Sequence, residues 1–231
     1  MTLARPREAA LLGVATRLFR ERGFHATSMQ DLAEALGMNR GSLYHYIESK
    51  DDLLWWIVSG ALERLDGRVR PILEADGPAP GRLRAAIAEH LCFAAAESDE
   101  LSLIQIELRS LGGERRAELI RRRDAYEVCW RRTVSDGIAA GELRAVDVRL
   151  ATIAILSACN WFTQWYRPEG AQTAEAIGAV FGDLFLDGLA GAPARAVAGP
   201  GADATAGPGA GPAAGPAAGG GRGRSGAEDR P

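Results

Sequence analysis

Arg40, Gly41, Ser42, Tyr44, His45 and Tyr46 form a short run whose outward groups can donate hydrogen bonds and include no carboxylate. Such groups suit phosphate oxygens and base edges: arginine bonds guanine bidentately, and a glycine lets backbone approach a duplex closely. Lys50, the only lysine in the chain, opens the next predicted helix, where free N–H groups and a cation together can hold a phosphate. Other chemistries find little support. The three histidines, His25, His45 and His90, have no cysteine, serine or carboxylate at a catalytic spacing. No phosphate-binding glycine loop and no metal motif is present, so the reading is no enzyme, with no catalytic residue, cofactor or metal expected. Cys92, Cys129 and Cys159 lie far apart without a C-x-x-C pair, which predicts buried, reduced thiols rather than a disulfide framework.

The elements that must position the run are helices. Ala, Leu, Arg and Glu dominate, and apolar residues recur at three- and four-residue spacing, which predicts an all-α fold. Pro6 suits the first turn of a helix that ends at Gly23. Two short helices follow, near 28–36 and 39–46. Met29, Leu32, Ala33 and Leu36 make the inner stripe of the first, Gly37 ends it in a left-handed turn, and Asn39 caps the second. Leu43 and Ile47 then face back toward the first helix. Two short helices crossing steeply at a glycine turn make a helix-turn-helix, the motif that lays its second helix in a major groove. A long helix opens at Ser49 and runs to about Glu74, with Pro71 bending or ending its last turns. Beyond a breaker-rich loop at 76–81, helices are predicted near 82–96, 99–110, 114–140, 147–166 and 171–190.

With 231 residues, 47% of them hydrophobic, the chain can bury a sizeable core. A net charge of -3 neither supports nor excludes nucleic acid, because only a docking face need be basic. The first residues lack the apolar stretch of a signal peptide, and the most apolar run, 151–161, is too short to span a bilayer. A soluble, cytoplasmic protein without membrane contact is expected. From residue 191 the composition collapses into Gly, Ala and Pro, which cannot offset the entropy of ordering.

The string Gly41-Ser42-Leu43-Tyr44-His45-Tyr46-Ile47-Glu48-Ser49-Lys50-Asp51-Asp52-Leu53-Leu54, preceded by the glycine turn, resembles the TetR family of transcriptional repressors. The match extends over about residues 7–65. It implies a homodimer in which three N-terminal helices bind a double-stranded DNA operator, while a larger C-terminal helical domain houses a ligand pocket and the dimer interface. Residue by residue, the resemblance implies phosphate contacts for Thr27, Ser42, Tyr44, Tyr46 and Lys50. It implies base-edge contacts for Arg40, Gly41 and His45. Ile47 stands where the family usually has an aromatic. The organisation expected is a helix-turn-helix DNA-binding domain at 1–48, a helical effector-binding and dimerisation domain at 49–190, and a disordered tail at 191–231.

The second aromatic concentration, Asn160-Trp161-Phe162-Thr163-Gln164-Trp165-Tyr166-Arg167-Pro168-Glu169-Gly170, sits in a chain that is only 6% aromatic. On spacing alone these residues read as core or dimer packing. The pattern is also similar to a signature in the TetR branch that senses acyl-coenzyme A thioesters of fatty-acid, aromatic-acid and steroid breakdown. Such a ligand needs an apolar tunnel for its acyl arm and arginines for its phosphates. Leu103, Ile106, Leu119, Tyr126 and Trp130 are candidates for that tunnel, bordered by Trp161 and Trp165. Arg121, Arg122, Arg123 and Arg167 are candidates for the phosphates, although the Arg121–Arg123 run by itself reads first as a solvated helix face. Two other readings stay open: a sensor of unrelated lipophilic compounds or drugs, and a helical interaction protein that does not bind DNA.

Overall fold

Side chains at the helix ends set where each element of this computed structural model begins; it describes residues 6–189. Ser28 and Asp31 close a capping box at the start of α2 (Met29–Ala35), and Ser49 and Asp52 close another at the start of α4 (Lys50–Leu73). Asn39 accepts from Ser42 N to cap α3 (Arg40–Leu43), and Asp147 accepts from Leu150 N to cap α8 (Val148–Trp165). α1 (Pro6–Arg22) precedes them, and α5 (Ala79–Ala96), α6 (Ser98–Ile106), α7 (Gly113–Ala139) and α9 (Ala174–Leu189) complete an all-α chain. The expected tail at 191–231 lies outside the described residues.

Gly37, at φ 65°, makes the left-handed turn that ends α2 and lets α3 cross it. Ala33 and Leu43 are fully buried at that crossing. The second helix of the motif is shorter than the spacing predicts: one α-helical turn, then His45 N and Tyr46 N bond back to Ser42 O and Leu43 O in tighter three-residue turns. Pro71 sits inside the last turns of α4, and the helix stops two residues later. The terminal carbonyl of Leu73 accepts from Arg82 Nη1 at 2.7 Å and from Thr133 Oγ1 at 3.3 Å, so the buried helix end is satisfied by α5 and α7.

One hydrophobic core runs continuously from Leu11 to Leu186, with Trp130, Phe19, Phe93 and Phe162 as its largest fully buried rings. α9 lies closely against α5. A Cβ built on Gly178 would stand 2.8 Å from the Ala88 Cα, and one on Gly182 would stand 2.9 Å from the Arg84 Cγ. Ala88 Cα is backbone and cannot rotate away, so Gly178→Ala must push the two helices apart. We expect it to cost about 1–3 kcal/mol, read as a fall in thermal midpoint by circular dichroism. Gly188→Ala, in the same helix with open space around it, is the control and should leave the midpoint unchanged or raise it. Equal midpoints for the two variants would rule out a close-packed α5–α9 crossing.

Candidate nucleic-acid interface and ligand cavity

Arg40, Gly41, Tyr44, His45 and Tyr46 are all exposed on one side of the α3 turn, while Leu43 and Ile47 are buried on the other. Arg40 Nη2 donates to the Tyr44 hydroxyl at 3.0 Å, and its guanidinium lies 5.5 Å from that ring centroid. The pair holds the arginine along the exposed face. A Cβ at Gly41 would meet nothing closer than 3.4 Å, so nothing inside the chain requires a glycine there. The absence of a side chain matters only to what approaches from outside. Ser42 is half-buried beneath these groups.

Thr27 and Lys50 are placed differently from the rest. Thr27 is buried, and its hydroxyl donates to Gly23 O at 2.8 Å and Leu18 O at 3.4 Å. Lys50 Nζ donates to the carbonyls of Phe24 at 2.8 Å, Thr27 at 3.0 Å and His25 at 3.3 Å, and lies 4.5 Å from the Phe24 ring centroid. Thr27 ties the α1–α2 turn back to the end of α1, and Lys50 fastens the same turn to the start of α4. A phosphate contact from either residue competes with these internal bonds.

The same turn is held from below. Phe24 N donates to Glu107 Oε1 at 3.2 Å, and Glu107 Oε2 accepts from Ser110 Oγ at 2.6 Å. Ser110 Oγ also lies 3.0 Å from His25 Nε2. Glu107 directly follows α6 and is buried, so a movement of α6 is delivered to the turn that carries α2. Asp52 accepts from Arg115 of α7 and ties the first turn of α4 to the same end of the larger helical layer. Burial works to raise the Asp52 carboxyl, but the Arg115 and Ser49 hydrogen bonds outweigh it and hold it below the usual carboxylate value of 3.8.

A cavity of about 310 Å³ lies among α4, α5, α6, α7 and α8. Leu62 and Leu65 of α4, Leu101 and Ile104 of α6, and Leu156 of α8 line it with apolar surface. His90 of α5 and Tyr126 of α7 bring a polar pair into the same wall, His90 Nδ1 lying 3.0 Å from the Tyr126 hydroxyl. Burial pushes the His90 imidazole down to about 4 and the Tyr126 phenol well above its ordinary value. Arg123, Asp124 and Glu127 contribute charge to the lining.

Of the residues that the sequence nominates for a ligand, the structure brings Tyr126 and Arg123 to this cavity. Leu103, Leu119 and Trp130 are fully buried in the surrounding core, and Ile106 is exposed at the end of α6. Arg121 and Arg122 both pair with Glu118 at 2.7 Å, and Arg122 also lies over the Trp55 ring. Arg167 is exposed and donates to Tyr166 O. Trp161 is 63% exposed, and Trp165 packs edge-on against Phe162 with its outer part in solvent. Spacing missed His90 and Glu107. His90 does carry a signal, since it falls on the buried α5 stripe of Leu83, Ala86, Ile87, Leu91 and Ala94, where a polar ring is out of place. Glu107 carries none.

An exposed donor-rich turn on a two-helix motif, under a helical layer with an internal cavity, defines a helix-turn-helix DNA-binding regulator. Residues 11–55 match the family described as "Bacterial regulatory proteins, tetR family", and residues 76–189 match "Tetracyclin repressor-like, C-terminal domain". The chain belongs to the TetR family of transcriptional regulators, which bind operator DNA and small-molecule effectors and are not enzymes. It is 31% identical over 186 residues to the HTH-type transcriptional repressor KstR2 of Rhodococcus jostii, covering 80% of this chain and 91% of that one. The solved structure of the ketosteroid transcriptional regulator KstR2 of Mycobacterium tuberculosis superposes with a TM-score of 0.77 at 27% identity, over 82% of this chain and 98% of that one. The structure of AibR in complex with isovaleryl coenzyme A and operator DNA superposes with a TM-score of 0.71 at 28% identity, over 77% and 97%. No helix among the described residues is long and apolar enough to cross a membrane.

Proposed function

We propose that this TetR-family repressor acts as a homodimer on a palindromic operator and is released from it by an acyl-CoA thioester that enters the α4–α8 cavity. In this reading residues 1–48 read DNA and residues 49–190 bind effector and partner. The observation that carries the proposal is the double duty of α4 and α6. Each lines the cavity, and each is fastened to the α1–α2 turn, α4 through Lys50 and α6 through Glu107. A ligand that repositions either helix therefore changes the spacing of the two reading surfaces in a dimer. The apolar walls suit an acyl arm, and Arg123 in the lining suits a phosphate. AibR, which resembles this chain over most of its length, is a protein solved with isovaleryl coenzyme A.

On the DNA side, Arg40, Gly41 and His45 would meet base edges, with Ser42, Tyr44 and Tyr46 on phosphate. The Arg40→Ala, Tyr44→Ala double variant is expected to keep its helicity and lose about a hundredfold or more in operator affinity, measured by fluorescence anisotropy on a fragment selected from genomic DNA. Retained affinity would remove this surface from the interface. A cognate thioester should weaken wild-type operator binding by about 5- to 150-fold.

Asp124 and Glu127 in the same lining support a second reading, in which the effector is a lipophilic cation. Displacement from the operator by hydrophobic cations, with acyl-CoA thioesters inert, would replace the first reading by this one.

A further inference from the structure

His90 lines the cavity, is 1% exposed, and its Nε2 has no hydrogen-bond partner among the described residues. Its other ring nitrogen is committed to the Tyr126 hydroxyl at 3.0 Å. The direction of that bond follows from accounting for protons. Tyr126 is buried, and the Trp130 indole N–H acts on its hydroxyl oxygen only as a donor, so His90 is the one acceptor for the Tyr126 proton among the described residues. If Nδ1 were the donor, the Tyr126 proton would be left buried without an acceptor. The arrangement that leaves no such orphan has Tyr126 donating to Nδ1, which places the proton of the neutral imidazole on Nε2. The ring's remaining polar atom is then an N–H donor that only the cavity's contents can satisfy.

We propose that His90 Nε2 donates a hydrogen bond to a carbonyl oxygen carried on the apolar part of the effector, so that the cavity selects oxo-substituted acyl groups over saturated ones. This rests on the reading of the cavity as the effector site. Water can serve the N–H when the cavity is empty of ligand. A saturated hydrocarbon arm displaces that water and leaves the donor bare, whereas an oxo group replaces the bond that is lost. A site built around a buried donor discriminates strongly against the analogue that lacks the acceptor.

The test uses the full-length protein and two matched pairs of probes. Calorimetric titration with cyclohexylacetyl-CoA and 4-oxocyclohexylacetyl-CoA should show the oxo compound bound at least about tenfold more tightly, and His90→Phe should bring the two affinities together. In protein carrying 15N-labelled imidazoles, 4-ethylcyclohexanone should move the His90 Nε2 resonance, and ethylcyclohexane should not produce that shift. Equal affinities for the two thioesters overturn the assignment while leaving the thioester reading in place. If neither thioester binds but the free ketone moves the His90 signal, the thioester reading fails and the carbonyl subsite stands. If neither the thioesters nor the ketone bind, both fall. The wild-type measurements decide the matter even if His90→Phe does not fold.

Discussion

A Trp161→Glu, Leu184→Glu double variant is expected to sediment as a monomer and to lose at least about a thousandfold in operator affinity. On α8, Leu150, Ile153 and Trp161 repeat along one face. On α9, Val180 and Leu184 stand one turn apart. Leu150 is 64% exposed and Leu184 68%, although such residues belong inside a fold that has room for them. Exposed apolar residues repeated along two helices that meet at the Trp165–Phe181 ring contact mark an interaction surface. In the proposed homodimer a second copy of the chain is the occupant, as the two half-sites of the proposed palindrome require. A glutamate at either position must be desolvated when the copies associate, and two such changes in each copy place four charges in the contact. Neither Trp161 nor Leu184 lies in the buried core, so far-ultraviolet circular dichroism should remain that of the native chain. Sedimentation velocity and anisotropy read the two expected losses. A double variant that stays dimeric with undiminished operator affinity would move the interface to another face.

The second large effect is on acid stability. The His90 imidazole is held at about 4 in the folded chain against 6.5 for an exposed histidine, because burial disfavours its charged form. Below pH 6.5 the unfolded chain takes up a proton that the folded chain refuses. Stability therefore falls as pH is lowered, by about 1.4 kcal/mol per unit, until the folded ring itself protonates near 4. The total is about 3 kcal/mol, a large share of the roughly 5–15 kcal/mol available to a folded domain. Asp31, Asp52 and Glu118 are shifted downward, so the stability they contribute is lost only below the ordinary carboxylate values. That separates their window from the one that belongs to His90. Denaturant titrations at pH 7, 6, 5 and 4.5 should give a falling curve for the wild type and a flatter one for His90→Phe. Parallel curves would show that the ring is not held neutral.

The two functional regions differ in how far the sequence discloses them. Ser28, Gly37, Asn39 and Ser49 act on the backbone within three residues of themselves, so the starts of α2, α3 and α4 could be placed almost to the residue, although the end of α3 could not. The cavity arises where five helices meet, and its lining depends on the rotational phase of each. On α8 the lining residues are Ile153, Leu156, Ser157, Cys159, Asn160 and Thr163; on α7 they are Ile120, Arg123, Asp124, Tyr126 and Glu127. Both sets follow the spacing of a single helical face. Trp161 is one residue past Asn160, a rotation of about 100°, which carries it out to solvent. Leu119 lies one residue before Ile120 and turns into the core. Aromatic and aliphatic character pointed to α6, α7 and α8, three of the five helices around the cavity, without their phase, because the inner and outer faces of α8 are both apolar. Thr27 and Lys50 illustrate a different limit. The family pattern assigns them to phosphate, while in the free chain their polar atoms hold the α1–α2 turn.

Lys50 has a practical consequence beyond its place in that turn. It is the only lysine in the chain, so its Nζ is the single side-chain primary amine that the protein offers to acylating reagents. That nitrogen is clasped by three carbonyls and can react only when they release it. An acyl group on Nζ would abolish the positive charge and prevent the clasp from reforming. Mass spectrometry of one peptide, timed after addition of a mild amine reagent, thus becomes a clock for how often the DNA-reading end comes loose from the helix beneath it. Running that clock with and without effector would time the switch without a fluorophore or an engineered cysteine.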